Sequence, residues 1–445
     1  MRLPHPLTLL VGCTVIAAAL THVLPAGKFD MRDDPATGKK VAVAGSYHRV
    51  EAHPVTPFET VVAIPDGIID AVSVIAFVFL VGGAFGVVDK TGALRDGIDW
   101  LVRRLGDRGI VAIPIVCLAF AAGGAFENMQ EEIIAIVPAL LMLTQRLGFD
   151  RLTVAEMSVG SAAIGSSFSP INPFQALIGQ KVAGVPQFSA AGFRGVFLAL
   201  ALLLWIAGTM RHARRVRVAP VRAEIGSDSK PFVFRGRAVL VIVLATFAVF
   251  VWGVARLHWD FDQEAALFFA MGAVVGIVGG LGVTGTAEAF VEGFQSMAYA
   301  ALLIGFARSI SVVMEQGLII DTVVNGLASA LAGLPTALAA VGMMAAHAAI
   351  HVPVPSVSGQ AVLTLPVFAP VADLLHMSRQ VAVLAYQYGA GICELVTPTN
   401  GALMAILAAS GVRYDEWIRG AGVMLALVTA LGVVAVVVAV SLGVT

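Results

Sequence analysis

Apolar stretches of about 20 residues recur along the whole chain, each long enough to cross a bilayer as a helix. In hydrocarbon every backbone N–H and C=O must find its partner inside the protein, so such a chain folds as packed helices. Composition agrees. Of the 445 residues, 58% are hydrophobic and 13% charged, about half the ~25% charged content of a soluble domain. A net charge of −1 leaves no electrostatic footprint for nucleic acid. Cys13, Cys117 and Cys393 each sit in an apolar stretch, without metal-ligand spacing or a disulfide framework. The first stretch, about 7–24, is long for a signal-peptide core and lacks a small-x-small cleavage site, so it reads as a retained helix.

Polar punctuation places crossings near 7–25, 70–90, 190–210, 238–256, 265–283, 290–313 and 418–442. Two more, near 152–185 and 381–411, are interrupted by proline, and segments 110–147 and 335–376 break midway. Orientation follows the asymmetry of Lys and Arg. Residues 211–237 hold eight basic side chains (Arg211, Arg214, Arg215, Arg217, Arg222, Lys230, Arg235, Arg237) against Glu224 and Asp228, which marks a cytoplasmic loop. An amphipathic stretch at 93–108, with Arg95, Arg103, Arg104 and Arg108, belongs on the same side; its counterpart at 318–334 has no Lys or Arg. Residues 26–59 are polar, charge-balanced and rich in Gly and Pro, and read as an external loop. The N-terminus is then cytoplasmic and the C-terminus outside.

The chain also resembles itself at a spacing of 225 to 228 residues. Gly92 falls on Gly317, Asp96 on Asp321, Pro138 on Pro366, Arg151 on Arg379 and Arg194 on Arg419. SPIN (169–172) falls on TPTN (397–400). Apolar helices share a small alphabet, but chance does not align prolines, arginines and an Asx motif in one register. An odd number of crossings separates equivalent points, so the copies are inverted, as in many secondary transporters. The divisions are 1–59, first helix and external loop; 60–210, repeat 1; 211–237, basic loop; 238–284, linking helices; and 285–445, repeat 2.

Each repeat has two breaks at membrane depth. The first lies at GGAFENMQEE (123–132) and HVPVPSVSGQ (351–360). Basic residues flank segment 110–147 at both ends, so it enters and leaves on one side as a re-entrant hairpin. The second lies at SPINP (169–173) and TPTNG (397–401), where proline removes an N–H and pushes the preceding residue out of helical geometry. Ser169, Asn172, Thr397, Thr399 and Asn400 place side-chain oxygens beside the freed carbonyls. A proline kink satisfied by its own neighbours explains one break; two at equivalent positions favour a site. Oxygen-rich broken helices coordinate Na⁺ in such carriers, which makes Ser169, Asn172, Thr397 and Asn400 the expected Na⁺ ligands.

Ionisable residues inside the spans need a reason. Glu127, Glu131 and Glu132 lie with Asn128 at the first hairpin tip, Arg308 lies midway along 290–313, and Glu394 precedes Pro398 by four residues. One reading has Arg308 grip a substrate carboxylate while the glutamates receive a cation, a proton or an amino group. The other makes Arg308 a structural partner of a glutamate. His347 and His351 fit a proton relay or hydrogen-bonded packing equally well.

PAGKFD (25–30), GSYHRVE (45–51), GGAFGVVDKTGA (82–93), SGQAVLTLPVFAPVADLL (358–375) and SRQVAVLAYQYG (378–389) resemble the YfcC-like branch of the DcuC-type carriers, over essentially the whole chain. The resemblance implies the two-hairpin, two-broken-helix architecture of the ion transporter superfamily. It implies exchange of four-carbon dicarboxylates or, in this branch, of basic amino acids. It implicates Ser169, Asn172, Thr397, Asn400, Ser356, Ser358, Gln360, Glu131 and Glu132. The chain departs from the family pattern where Gly389-Ala390-Gly391 and Glu394 replace a Gly-Asp-Gly followed by Asn, and where Glu127 and Asn128 replace smaller residues.

The expectation is an all-α polytopic protein of the bacterial inner membrane, moving a small carboxylate-bearing metabolite by antiport or cation coupling. Na⁺ or H⁺ is the expected coupling ion, with no other cofactor, and a homodimer is compatible with the sequence. An ion channel or a membrane-embedded enzyme would be the rival classes. A channel favours a continuous pore, and no HExxH or GxSxG pattern supports an enzyme. The orientation is checked by labelling. A cysteine introduced within 211–237 is expected to be shielded from an impermeant thiol reagent in intact cells, and one within 26–59 to react; external labelling of 211–237 would reverse the topology.

Overall fold

The computed structural model describes residues 5–34, 39–94, 96–97, 106–217, 234–257, 259 and 261–445. Of the basic residues that set the orientation, Arg95, Arg103, Arg104, Arg222 and Lys230 lie outside the described residues, as do Glu224 and Asp228 and the side chain of Arg108.

After α1 (Pro6–Thr21) the chain forms four short strands, then α2 (Pro57–Asp70) and α3 (Val72–Lys90). A capping box starts α2: Thr56 Oγ1 accepts from Glu59 N, and Glu59 reaches back to Thr56 N. There follow α4 (Ala112–Glu127) and α5 (Glu131–Leu147), parted at Asn128, whose φ of 57° lies in the left-handed region. Next comes an interrupted helix: α6 (Arg151–Ala155), a π-helical turn (Glu156–Gly160), α7 (Ser161–Phe168), a break, a second π-helical turn (Pro173–Leu177) and α8 (Ile178–Val182). The long α9 (Ala191–Val216) ends this half. Linking helices α10 (Phe234–Leu257) and α11 (Phe261–Val278) lead to α12 (Gly282–Gln316) and α13 (Ile320–Leu331). The second half then repeats the order: α14 (Thr336–His351), a break, α15 (Val357–Leu374), α16 (Arg379–Cys393), a break, α17 (Gly401–Ser410) and the long α18 (Tyr414–Ser441).

Among the described residues seven helices are long and apolar enough to cross a membrane: Val72–Lys90, Gly109–Glu127, Ala191–Val216, Phe261–Val278, Gly282–Gln316, Val357–Leu374 and Tyr414–Ser441. The sequence-read crossings near 7–25 and 238–256 are helical but fall outside this set; α1 is only 16 residues long. Leu244, Val283 and Val423 point large apolar side chains outward, as a lipid-facing surface requires. Phe268 of α11 sits among Phe77, Phe85, Phe247 and Phe250, knitting the linking helices to α3.

The segment 26–59 is not a plain loop, which corrects a strictly all-α reading. Gly27–Lys28 pairs with His48–Arg49, and Met31–Asp34 with Lys39–Ala42, both antiparallel. These strands are too short to show as an alternating pattern, and they are held by contacts remote in sequence. Gly27 N donates to Leu318 O (2.9 Å) and Phe29 N to Asp321 Oδ2 (2.9 Å), so the ribbon is stitched to the start of α13.

A close backbone contact couples the first hairpin-like pair to the interrupted helix. A methyl at Gly124 of α4 would lie 1.9 Å from Ala162 O, and one at Gly165 of α7 would lie 2.0 Å from Ala121 O. Small residues let backbones approach this closely in membranes. Gly165→Ala is therefore expected to cost about 2–3 kcal/mol by overpacking. Gly192→Ala, where nothing lies within 4 Å, is expected to leave stability unchanged or improved. Thermal unfolding in detergent compares the two, and equal behaviour would refute the backbone contact.

Candidate functional site

The four breaks meet at one cavity of about 530 Å³. Glu127, Asn128, Gln130, Glu131 and Glu132 reach it from the α4–α5 break, and Phe174 from the break after α7. Pro355, Ser356, Val357 and Ser358 reach it from the α14–α15 break, and Glu394, Thr399, Asn400, Gly401 and Ala402 from the break after α16. Asp70 at the end of α2, Arg308 of α12, and Trp259, Phe261 and Glu264 around the start of α11 complete the wall.

Each break is built to satisfy its own backbone. At the first interrupted helix Asn172 is the N-cap: its Oδ1 accepts from Phe174 N (2.9 Å) and Gln175 N (2.8 Å), while its Nδ2 donates to Gly124 O (2.8 Å). Ser169 Oγ accepts from Ile171 N (3.0 Å) and Asn172 N (2.9 Å) and donates to Ala125 O (2.9 Å). Gln175 Nε2 donates to Asn128 Oδ1 (2.7 Å). The SPIN motif thus fastens the interrupted helix to the α4–α5 break. At the second interrupted helix Asn400 caps α17, its Oδ1 accepting from Leu403 N (3.1 Å). Its Nδ2 donates to Glu394 O (3.2 Å) and to Gln130 Oε1 (3.0 Å). Both asparagines therefore reach the α4–α5 break, at Gly124 and at Gln130. Thr397 and Thr399 share a hydroxyl hydrogen bond (2.7 Å).

Of the residues expected from sequence, Asn128, Glu131, Glu132, Arg308, Ser356, Ser358, Glu394, Thr399 and Asn400 line the cavity; Ser169, Asn172, Gln360 and Thr397 do not. Gln360 faces the interior of its own helix pair. Its Oε1 lies 2.8 Å from His351 Nδ1, and its Nε2 donates to His347 O (2.8 Å). Ser356 instead caps α15 through Gly359 N (3.3 Å). The first oxygen set expected to hold Na⁺ does not fit that role, because Ser169 Oγ and Asn172 Oδ1 already accept two N–H bonds each. The second set keeps lone pairs open at Thr397, Thr399 and Asn400.

Arg308 has a partner that sequence reasoning missed. Its Nε pairs with Asp70, and its Nη2 lies 3.8 Å from Glu315. Asp70 closes a helix 238 residues upstream, and nothing in the local pattern at either residue points to the other. Sequence reasoning also missed Glu264, which lines the cavity, and fully buried Glu156 and Arg194. Glu156 and Arg194 lie within apolar runs, where a lone charge is itself the available signal; Glu264 sits in a polar helix start beside Asp262 and carries no such mark. The cavity wall carries six carboxylates (Asp70, Glu127, Glu131, Glu132, Glu264, Glu394) and, among the described residues, one arginine, which Asp70 engages.

The Arg308–Asp70 pair is partly exposed to the cavity, so removing one partner leaves the other charge poorly compensated. Arg308→Ala is expected to cost about 1–2 kcal/mol after solvent screening. The double variant Arg308→Ala/Asp70→Ala is expected to recover at least half of that loss. Thermal unfolding of the four proteins in the cycle measures it, and strictly additive losses would rule out the pairing.

The model of the DcuC family, described as C4-dicarboxylate anaerobic carrier, matches residues 3–441. The chain is 32% identical to the "Putative basic amino acid antiporter YfcC" of Escherichia coli (strain K12), covering 98% of this chain and 96% of that protein. It is 27% identical to an uncharacterized protein of Haemophilus influenzae, covering 99% and 97%. Among solved structures it is similar to the YdaH transporter of Alcanivorax borkumensis (17% identity, TM-score 0.46, 99% of each chain). It is also similar to MtrF of Neisseria gonorrhoeae (16% identity, TM-score 0.42, 99% of this chain and 96% of that one). With its membrane-length helices and a family match across nearly its whole length, the chain is a multi-pass membrane protein that belongs to the DcuC family of carriers.

Proposed function

We propose that the chain is a secondary active transporter that exchanges a basic amino acid across the bacterial inner membrane through the cavity between the four breaks. The observation that carries this reading is that, among the described residues, the wall sets six carboxylates against a single arginine, itself engaged by Asp70. A dicarboxylate entering this space would meet its own sign of charge. A substrate with one carboxylate and two cationic groups would find partners for its amino group and its side chain. Its carboxylate would be received at the N-termini of half-helices, where N–H groups point outward; α15 and α17 begin at the cavity with Val357 and Gly401.

The architecture proposed with it is a pair of inverted-topology repeats, 60–210 and 285–445, in which α4–α5 and α14–α15 are re-entrant hairpins. It is supported by the matching order of elements and by the equivalent breaks at Asn172 and Asn400. The N-terminus is cytoplasmic and the C-terminus outside in this arrangement, following the basic residues of 211–237. Substrate contacts fall to Asn128, Glu131, Glu132, Glu394, Thr399, Asn400, Ser356 and Ser358, while Arg308 holds Asp70 in register.

Purified protein in liposomes tests the reading. Vesicles loaded with L-arginine are expected to take up labelled L-arginine and L-lysine by saturable counterflow, and succinate and fumarate are expected to compete weakly. Counterflow of succinate in place of arginine would replace this reading with the dicarboxylate exchange that the family description names.

A further inference from the structure

Glu156 stands apart from the cavity. It opens the π-helical turn Glu156–Gly160 inside the first interrupted helix, its side chain is fully buried, and neither carboxylate oxygen has a hydrogen-bond partner among the described residues. Its backbone, by contrast, is held firmly: Trp205 Nε1 (2.8 Å) and Ser161 Oγ (3.3 Å) both donate to Glu156 O. A glutamate kept for packing would gain from a donor at its carboxyl, and the described residues supply none. An ionised carboxylate without donors in an apolar setting is among the costliest buried groups, whereas a neutral carboxyl costs far less. Burial without a donor therefore favours the protonated carboxyl at Glu156. π-helical turns of this kind also recur at functional positions.

A partly solvent-exposed ion pair lies at the start of the same segment. Among the described residues, His212 from α9 and Asp150 at the start of its own segment act electrostatically on Glu156, and Glu156 acts in turn on Cys117 of α4. His212 Nε2 lies 3.1 Å from Asp150 Oδ2, and their side chains are 21% and 38% exposed. Asp150 caps the interrupted helix through Thr153 N (3.0 Å). It lies six residues before Glu156, about 9 Å along the helix axis. A buried acid with orphan oxygens thus follows by six residues the Asp150 N-cap, which α9 meets through the partly exposed His212. The cavity carboxylates are not part of this group.

We infer that Glu156 is a proton-binding site of the carrier, loaded and emptied through the His212–Asp150 pair and separate from the acidic cavity. Resting on the transporter reading above, it would tie one proton to movement of the first interrupted helix. Leaving the apolar setting exposes the carboxyl to the pair and releases the proton, and returning requires it to be bound again. Glu156→Gln mimics the protonated form in shape and charge, so the variant is expected to fold.

Two measurements test this. Infrared difference spectra, native minus Glu156→Gln at neutral pH, are expected to show the C=O stretch of a protonated carboxyl; its absence overturns the proposal whatever is transported. In liposomes Glu156→Gln is expected to keep L-arginine counterflow within about twofold of native. It is expected to lose at least tenfold of the accumulation driven by an imposed pH gradient. His212→Gln is expected to slow that accumulation while sparing counterflow. Accumulation by Glu156→Gln equal to native refutes the site while leaving the exchange reading intact. Absent counterflow in the native protein refutes the exchange reading alone, since the infrared band decides Glu156 on its own.

Discussion

A backbone carbonyl or amide freed inside hydrocarbon has no water to turn to, and this fold frees several at each of its four breaks. Most of the named contacts at the centre of the molecule answer that demand. Asn172 alone settles two N–H groups and one C=O, and Ser169 settles two N–H groups and another C=O. Some partners come from a neighbouring break: Gly124 and Ala125 accept from the first interrupted helix, and the Gln130 side chain from the second. Interruptions that satisfy one another must lie side by side. The cavity is the space left where such ends meet, and polar side chains collect there because only there can they be solvated.

Much of this was legible in the sequence, because the devices involved leave strong marks. Proline and asparagine at 170–173 and 398–400 announce helix ends within apolar runs, and the structure places helix breaks and caps at those positions. The break at 128 was legible from Glu127, Asn128, Glu131 and Glu132 clustered after two glycines. Pairings between distant residues were not legible. Arg308 and Asp70 meet because α2 packs along α12, a fact of tertiary geometry with no local signature. Gln360 illustrates the converse failure. The motif pointed to it, but one face of α15 turns it onto His347 and His351 while Ser356 and Ser358 reach the cavity.

The acidic wall also bears on how far a family description carries. Family membership rests on the whole length of the chain, most of which is helix packing, and packing is shared by carriers of unlike cargo. Of the departures from the family pattern that the sequence showed, Glu127, Asn128 and Glu394 lie on the cavity wall, and Gly389-Ala390-Gly391 do not. Charge at those few positions decides which solutes find the interior congenial, and it varies independently of the scaffold that holds it.

One buried strut joins the two halves directly. Arg194 of α9, wholly enclosed, donates from Nε to Gln387 Oε1 of α16 (2.9 Å), and Gln387 Nε2 donates onward to Ser169 O at the opposite break (2.7 Å). Among the described residues the guanidinium shows no carboxylate partner; Gln387, the Ser189 carbonyl (2.8 Å) and, with its amide turned to face the guanidinium, Gln380 Oε1 are the acceptors that keep it tolerable there. Sliding one interrupted helix without the other would strand a cation among hydrocarbon side chains, a state too costly to linger in. The strut therefore ties a shift of either interrupted helix to a cost borne at Arg194.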